Sequence, residues 1–260
     1  MIKFDLKHKK FLDEQILSKT NEKSLNEIYS NLNEYITLEK INNYAENYSK
    51  SINNDQLPNN KKSSADSIKG RIYEEVTAYG IQKMLENYGL SNDVYITKNK
   101  KLIDEFFSIR VANDTKLKKT CDVDLLLHNA DKNKFYALSV KGTTRERIAQ
   151  SQLYLFLFCK EVMNLKYKSC EDFFKCKLWS DNVKFKYGIV IFDNAKTKDY
   201  VKYTKTGDER RSTRKFDVEL FYQDKEISGG FTILNNNENF NNTIKFNTLI
   251  GWIIDFFQAK

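Results

Sequence analysis

Zinc has little to hold on to in this chain: there are two histidines, His8 and His128, and the four cysteines, Cys121, Cys159, Cys170 and Cys176, include no Cys-x-x-Cys pair. A structural zinc site is therefore not expected. No glycine-rich phosphate loop appears, so a nucleotide cofactor and NTP hydrolysis have no visible support. No run approaches the roughly 20 apolar residues of a membrane span, and the first residues lack an apolar signal core. The expectation is a protein of the reducing cytoplasm. Proline occurs once, at Pro58, and no internal repeat is visible.

Charge and patterned apolar residues are abundant. Lys and Arg number 43 against 35 Asp and Glu, a net charge of +8 that favours a polyanionic partner. Lys, Asn, Ile, Tyr and Phe are all frequent, as an AT-rich genome would also produce, so the sign of the charge carries more than its size. The length suits one large domain, or a domain with a helical extension. Residues 10 to 50 read as helical, through Phe11, Ile16, Leu25, Ile28, Leu32, Ile36 and Ile41. Ser51 to Ser64, with Pro58 amid Asn, Lys and Ser, reads as a linker. A helix capped by Asp66 or Ser67 is expected through Ile68, Ile72, Val76, Ala78, Tyr79, Met84 and Leu85, stopped by Gly89. Val94 to Thr97 is a short strand, Gly188 to Phe192 a buried one, and Thr144 to Met163 a helix. The pattern predicts an N-terminal helical extension over 1–55 and a main α/β domain over 65–260.

The chemistry concentrates in residues 121 to 147. Asp122 and Asp124 are two apart and share a face of the strand expected to run into Leu125, Leu126 and Leu127. His128 to Lys134 is a polar turn, and Phe135 to Lys141 is the return strand. A hairpin centred near Asp131 and Lys132 sets Asp124 opposite Ser139 and Asp122 opposite Lys141, bringing Ser139 and Lys141 beside the aspartates. Hydroxide attack on an anionic phosphodiester needs a cation to neutralise the phosphate and acidify the attacking water. Carboxylates hold Mg²⁺ in ones and twos, and a nearby lysine can orient water or stabilise developing charge.

This layout resembles the PD-(D/E)xK nuclease superfamily, in which an Asp begins one hairpin strand and an acid-x-Lys tripeptide lies on the next. The corresponding pieces are Asp124, with Asp122 as the second candidate, and Ser139-Val140-Lys141. Val123 stands at the family's proline and Ser139 at its second acid. Such a serine occurs among type II restriction endonucleases, which recover a carboxylate from a helix. The run Gly142-Thr143-Thr144-Arg145-Glu146-Arg147, with Gln150 beyond, looks like the Lys-Thr-Ser-x-Arg-Glu-Arg run of restriction enzymes. Gly70 to Glu74 is similar to the superfamily's Gly-x-x-x-Glu, a helix that aims its acid at the metal. Glu75 and Glu146 are the rivals to Glu74. The resemblance covers about a tenth of the chain.

It implies a restriction-endonuclease-like mixed sheet flanked by helices, cutting double-stranded DNA with Mg²⁺. Asp124, Glu74, the Val140 carbonyl and Asp122 would be the metal ligands. Lys141 would orient the water, and Ser139 would hold a water or phosphate oxygen. Arg145, Arg147 and Gln150 would contact the DNA backbone or position the catalytic helix. In the region 193 to 236, Val201 to Thr206, Phe216 to Tyr222 and Phe231 to Leu234 read as strands around a basic loop. Its Arg210, Arg211 and Arg214 could read guanine or grip phosphates, or could form a solvated surface. Thr243 to Phe257 is an apolar helix, either core or the face of a homodimer. A repair or junction-resolving nuclease of the same fold, and a DNA-binding module with a decayed site, are the alternatives.

Overall fold

The computed structural model describes residues 6–17, 27, 35–52, 58–142, 157–158, 170–192, 228–234 and 246–259. In chain order its main elements are α1 (Lys9–Leu17), α2 (Leu38–Ile52), α3 (Pro58–Asn87), β1 (Val94–Thr97), α4 (Lys100–Phe106), β2 (Ser108–Val111), β3 (Asp114–Thr120), β4 (Leu125–Asn129) and β5 (Lys134–Lys141). There follow α5 (Cys170–Phe173), β6 (Phe174–Lys175), a 3-10 turn at Lys177–Trp179, β7 (Lys184–Phe192), β8 (Ser228–Leu234) and α6 (Phe246–Gln258). The fold is mixed α/β.

Five strands form the central sheet in the order β1-β4-β5-β7-β8. The pairs β1–β4 and β4–β5 are antiparallel, whereas β7 lies parallel to β5 and β8 parallel to β7. Alternation along β5 sends Tyr136, Leu138 and Val140 to one face and Phe135 and Ala137 to the other. On the first face they join Leu125 and Leu127 of β4, Ile72 and Val76 of α3, Phe11 and Leu12 of α1, and Leu249 and Ile253 of α6. On the second face Leu126, Tyr187 and Ile189 pack with Leu102, Phe107, Phe158 and Trp179. Both faces are covered, so β5 and the distal half of β7 are buried along nearly their whole length.

α3 is longer than the sequence pattern predicts. It begins at Pro58, inside the stretch expected to be a linker, because a proline in the first helical turn forfeits only an N–H that has no intrahelical acceptor. It ends as expected: Gly89 takes a φ of 71°, and Gly89 N and Leu90 N donate to the carbonyls of Glu86 and Leu85 at 3.2 and 2.8 Å. α1 is seated on α3 by Glu75, whose carboxylate accepts from Lys7 N at 3.2 Å and His8 N at 2.7 Å. These donors sit at the positive end of the α1 dipole, where a carboxylate is favourable.

A second sheet, β3-β2-β6, is antiparallel throughout and carries the chain from α4 to the central hairpin. The sequence pattern does not predict it. The apolar C-terminal helix is a core element: Phe246, Leu249, Ile250, Ile253 and Ile254 are buried within the chain's own first cluster. β8 adds residues 228–234 to the central sheet, beyond the β-strand start expected at Phe231. The expected helix 144–163 lies outside the described residues except for Leu157 and Phe158, and the expected strands 201–206 and 216–222 lie wholly outside them.

Candidate active site

The hairpin has the register the sequence predicts: Leu125 faces Leu138, Leu126 faces Ala137, Leu127 faces Tyr136, and His128 faces Phe135. Its turn closes through Lys132, which adopts a φ of 53°. One expectation is corrected, since β4 starts at Leu125 and Asp122 and Asp124 precede it rather than lying on it. Asp124 still reaches the ladder, because its N–H donates to the Leu138 carbonyl at 3.0 Å. Its side chain is thereby turned back onto the end of β5, free of the fixed alternation of a strand.

There Asp124 Oδ2 collects three donors: Val140 N at 2.7 Å, Lys141 Nζ at 2.7 Å and the Ser139 hydroxyl at 3.4 Å. Lys141 Nζ also lies 2.9 Å from Asp122 Oδ2, so one ammonium bridges both aspartates. Burial alone would lower the pKa of Lys141, but the two carboxylates overcome it and hold the ammonium above its ordinary value. Ser139 is fully buried. Asp122 is steadied from below, where the Tyr187 hydroxyl donates to its carbonyl at 3.1 Å.

α3 brings the third acid. Glu74 carries its carboxylate to the same end of the sheet and pairs with Lys98, which follows β1. Burial raises the pKa of Glu74, the Lys98 ion pair opposes that rise, and the charge of Asp124 adds to it. The two carboxylates thus feel one another across the site. Close approach fixes α3 here: a Cβ on Gly142 would sit 3.0 Å from the Tyr73 ring, and that ring stacks on Phe192 with centroids 4.6 Å apart.

The neighbouring glutamate is used differently. Glu75 is fully buried, and besides the two α1 amides it accepts from Arg71 Nε at 3.0 Å. It holds a helix terminus, whereas Glu74 pairs with Lys98 at the aspartates' end of the sheet and feels the charge of Asp124. Arg145, Glu146, Arg147, Gln150, Arg210, Arg211 and Arg214 lie outside the described residues. Lys98 and Tyr187 were missed in the sequence. A lysine after a short strand and a tyrosine within an apolar one carry no motif, and only the tertiary fold brings them to the aspartates.

The donor set at this end is all oxygen, which suits a hard cation such as Mg²⁺. Among the described residues no three His, Cys, Asp or Glu side chains already converge as a metal cage. Mg²⁺ asks for less: one or two carboxylates, with waters and a phosphate completing the octahedron. Asp124 and Glu74 fit that sparse set. The backbone of Val140 points the same way, since its N–H is already directed at Asp124 and the carbonyl of a strand residue lies on the same side as its N–H. No protein-family model matches the chain, and comparison with curated proteins finds no similar sequence.

Proposed function

We propose that the chain is a Mg²⁺-dependent endonuclease of the PD-(D/E)xK type, hydrolysing phosphodiester bonds in double-stranded DNA at a specific short sequence, as a type II restriction endonuclease does. The observation that carries this reading is the bridging of Asp122 and Asp124 by Lys141, with Val140 N on the Asp124 carboxylate. A surface lysine pair would be solvated. This ammonium keeps only 15% of its side-chain surface exposed.

Asp124, Glu74 and the Val140 carbonyl would hold the metal, with Asp122 at its edge. The bound cation would neutralise the phosphate and acidify a water. Lys141, held charged by the aspartates, would orient that water and stabilise the negative charge developing on the phosphate. Ser139 keeps Asp124 aimed and would hold a water or phosphate oxygen. Arg145, Arg147 and Gln150 would grip the duplex, and Arg210, Arg211 and Arg214 would read or neutralise it. A homodimer would cut both strands. A repair or junction-resolving nuclease would show the same chemistry with a preference for branched or damaged DNA.

One feature favours a second reading. With Ser139 at the second acid's place and both lysines already ion-paired with the acids, the same geometry suits a DNA-binding module that has lost its chemistry. Incubation with unmethylated plasmid and Mg²⁺ separates the two. Discrete fragments, abolished in Lys141→Ala and Asp124→Ala, support the nuclease; Mg²⁺-independent binding without any nicking supports the module.

A further inference from the structure

We infer that the small sheet β3-β2-β6 is a contact surface for the phosphate backbone of a DNA duplex. The inference rests on the proposed DNA-directed function, although it concerns residues that take no part in the site. Arg110 of β2 stands directly opposite Lys118 of β3 on one side and Lys175 of β6 on the other. Direct cross-strand partners share a face, so the three cations form one row across the sheet. Lys116, exposed on β3 where the β2–β3 register is interrupted after Arg110, adds a further cation beside the row.

Like charges directly opposite one another in a sheet are destabilising. Lysines on an exposed edge strand have an ordinary use, in blunting the edge against aggregation, and that accounts for β3. The same use covers Lys175, since β6 is the sheet's other edge, but it does not account for Arg110 on the central strand between them. Asp104 of α4 pairs with Lys118 at 2.9 Å and so steadies one end of the row. Among the described residues Arg110, Lys116 and Lys175 have no carboxylate partner. The sheet's strands carry five cations, Arg110, Lys116, Lys118, Lys119 and Lys175, against the single carboxylate of Asp114.

The placement fits a duplex already lying at the candidate site. β3 runs directly into Cys121 and Asp122, and four residues of extended chain limit the Lys118 to Asp122 separation to about 14 Å. That span is about four base-pair steps at 3.4 Å each. The row can therefore meet phosphates flanking the scissile one on the same duplex. Its cations are spread across strands, as backbone neutralisation requires, and they contribute to affinity with no dependence on sequence.

The test is a salt series. Binding of a fluorescein-labelled 30-base-pair duplex of random sequence is followed by anisotropy in metal-free buffer for the full chain and for Arg110→Gln/Lys116→Gln/Lys175→Gln. A second triple, Lys10→Gln/Lys50→Gln/Lys184→Gln, removes the same charge elsewhere. The sheet variant should weaken binding and make the slope of log affinity against log salt shallower by roughly 2.7, about 0.9 per lost contact, while the control triple stays near the wild type. Should the sheet triple fold poorly by circular dichroism, Lys116→Gln alone, on an exposed edge, should change the slope by about 0.9. Equal slopes in the two triples overturn the inference. So does binding of the wild type to anionic phospholipid vesicles but not to the duplex. Because no cleavage is read, a slope change with no nuclease activity would sink the nuclease reading and leave this surface standing, and cleavage with an unchanged slope would do the reverse.

Discussion

Two adjacent glutamates should respond oppositely to the same near-isosteric change. Glu75 is fully buried and accepts three donors: the backbone amides of Lys7 and His8 and the Arg71 guanidinium. Glu75→Gln keeps the volume but removes the charge and turns one acceptor oxygen into an NH₂ facing donors. Losing one hydrogen bond to a charged group costs about 1.5–3 kcal/mol, and the amide facing a buried donor takes the total to about 3 kcal/mol or more. For a chain of this size that lowers Tm by roughly 6–12 °C. Glu74→Gln touches no helix terminus, and its carboxylate keeps 17% of its side-chain surface exposed. Its Tm should stay within about 2 °C of wild type. Cleavage should instead fall by more than about 100-fold, since even outer-shell partners of a metal are worth 10–100-fold. Thermal unfolding by circular dichroism and plasmid cleavage below Tm, run on both variants, give the comparison. A Glu74→Gln protein that melts early while cutting normally, or a Glu75→Gln protein that melts normally, would refute the assignment of the two side chains.

Further outcomes follow from the same geometry. Gly142→Ala should destabilise the chain by about 1–3 kcal/mol and depress cleavage, because the new methyl meets the Tyr73 ring at 3.0 Å and that ring is backed by Phe192. Adding Tyr73→Leu should restore much of both, and denaturant titration of the double variant checks it. His8 is buried, and desolvation, opposed by the charge of Glu75, holds its pKa below 6.5. The unfolded chain therefore binds more protons below pH 6.5, and stability should be full above that pH and fall as pH drops toward the folded value. The difference between urea midpoints at pH 7.5 and 5.5 should shrink in His8→Gln, with His128, whose pKa burial also lowers, supplying the remainder; an unchanged acid slope in that variant would place the titration elsewhere.

The parts of the fold that the sequence discloses are those where burial enforces a pattern. Residues 125 to 141 alternate against a core on both faces, and a one-residue slip would exchange those faces, so the polar turn and the apolar strands fix the register. α3 is readable over Ile72 to Leu85 for the same reason, and its glycine stop is local chemistry. The small sheet lacks such enforcement. β3 is solvent-exposed along most of its length and β6 is only two residues long, so neither shows a period. The juxtaposition of Asp124, Ser139 and Lys141 is legible because it is local to one hairpin. The division between Glu74 and Glu75 was only half legible: helical periodicity placed Glu74 near the core side. It could not show that Glu75 faces a helix terminus 67 residues earlier.

The most direct test of the central claim is cleavage of unmethylated plasmid with Mg²⁺ by the wild type and by Lys141→Ala, in parallel with Lys141→Arg. The account predicts discrete fragments from the wild type, none from the alanine variant, and at most weak nicking from arginine, whose planar guanidinium cannot replace a compact ammonium between Asp122 and Asp124. Undiminished cutting by Lys141→Ala, with the same fragments, would contradict it.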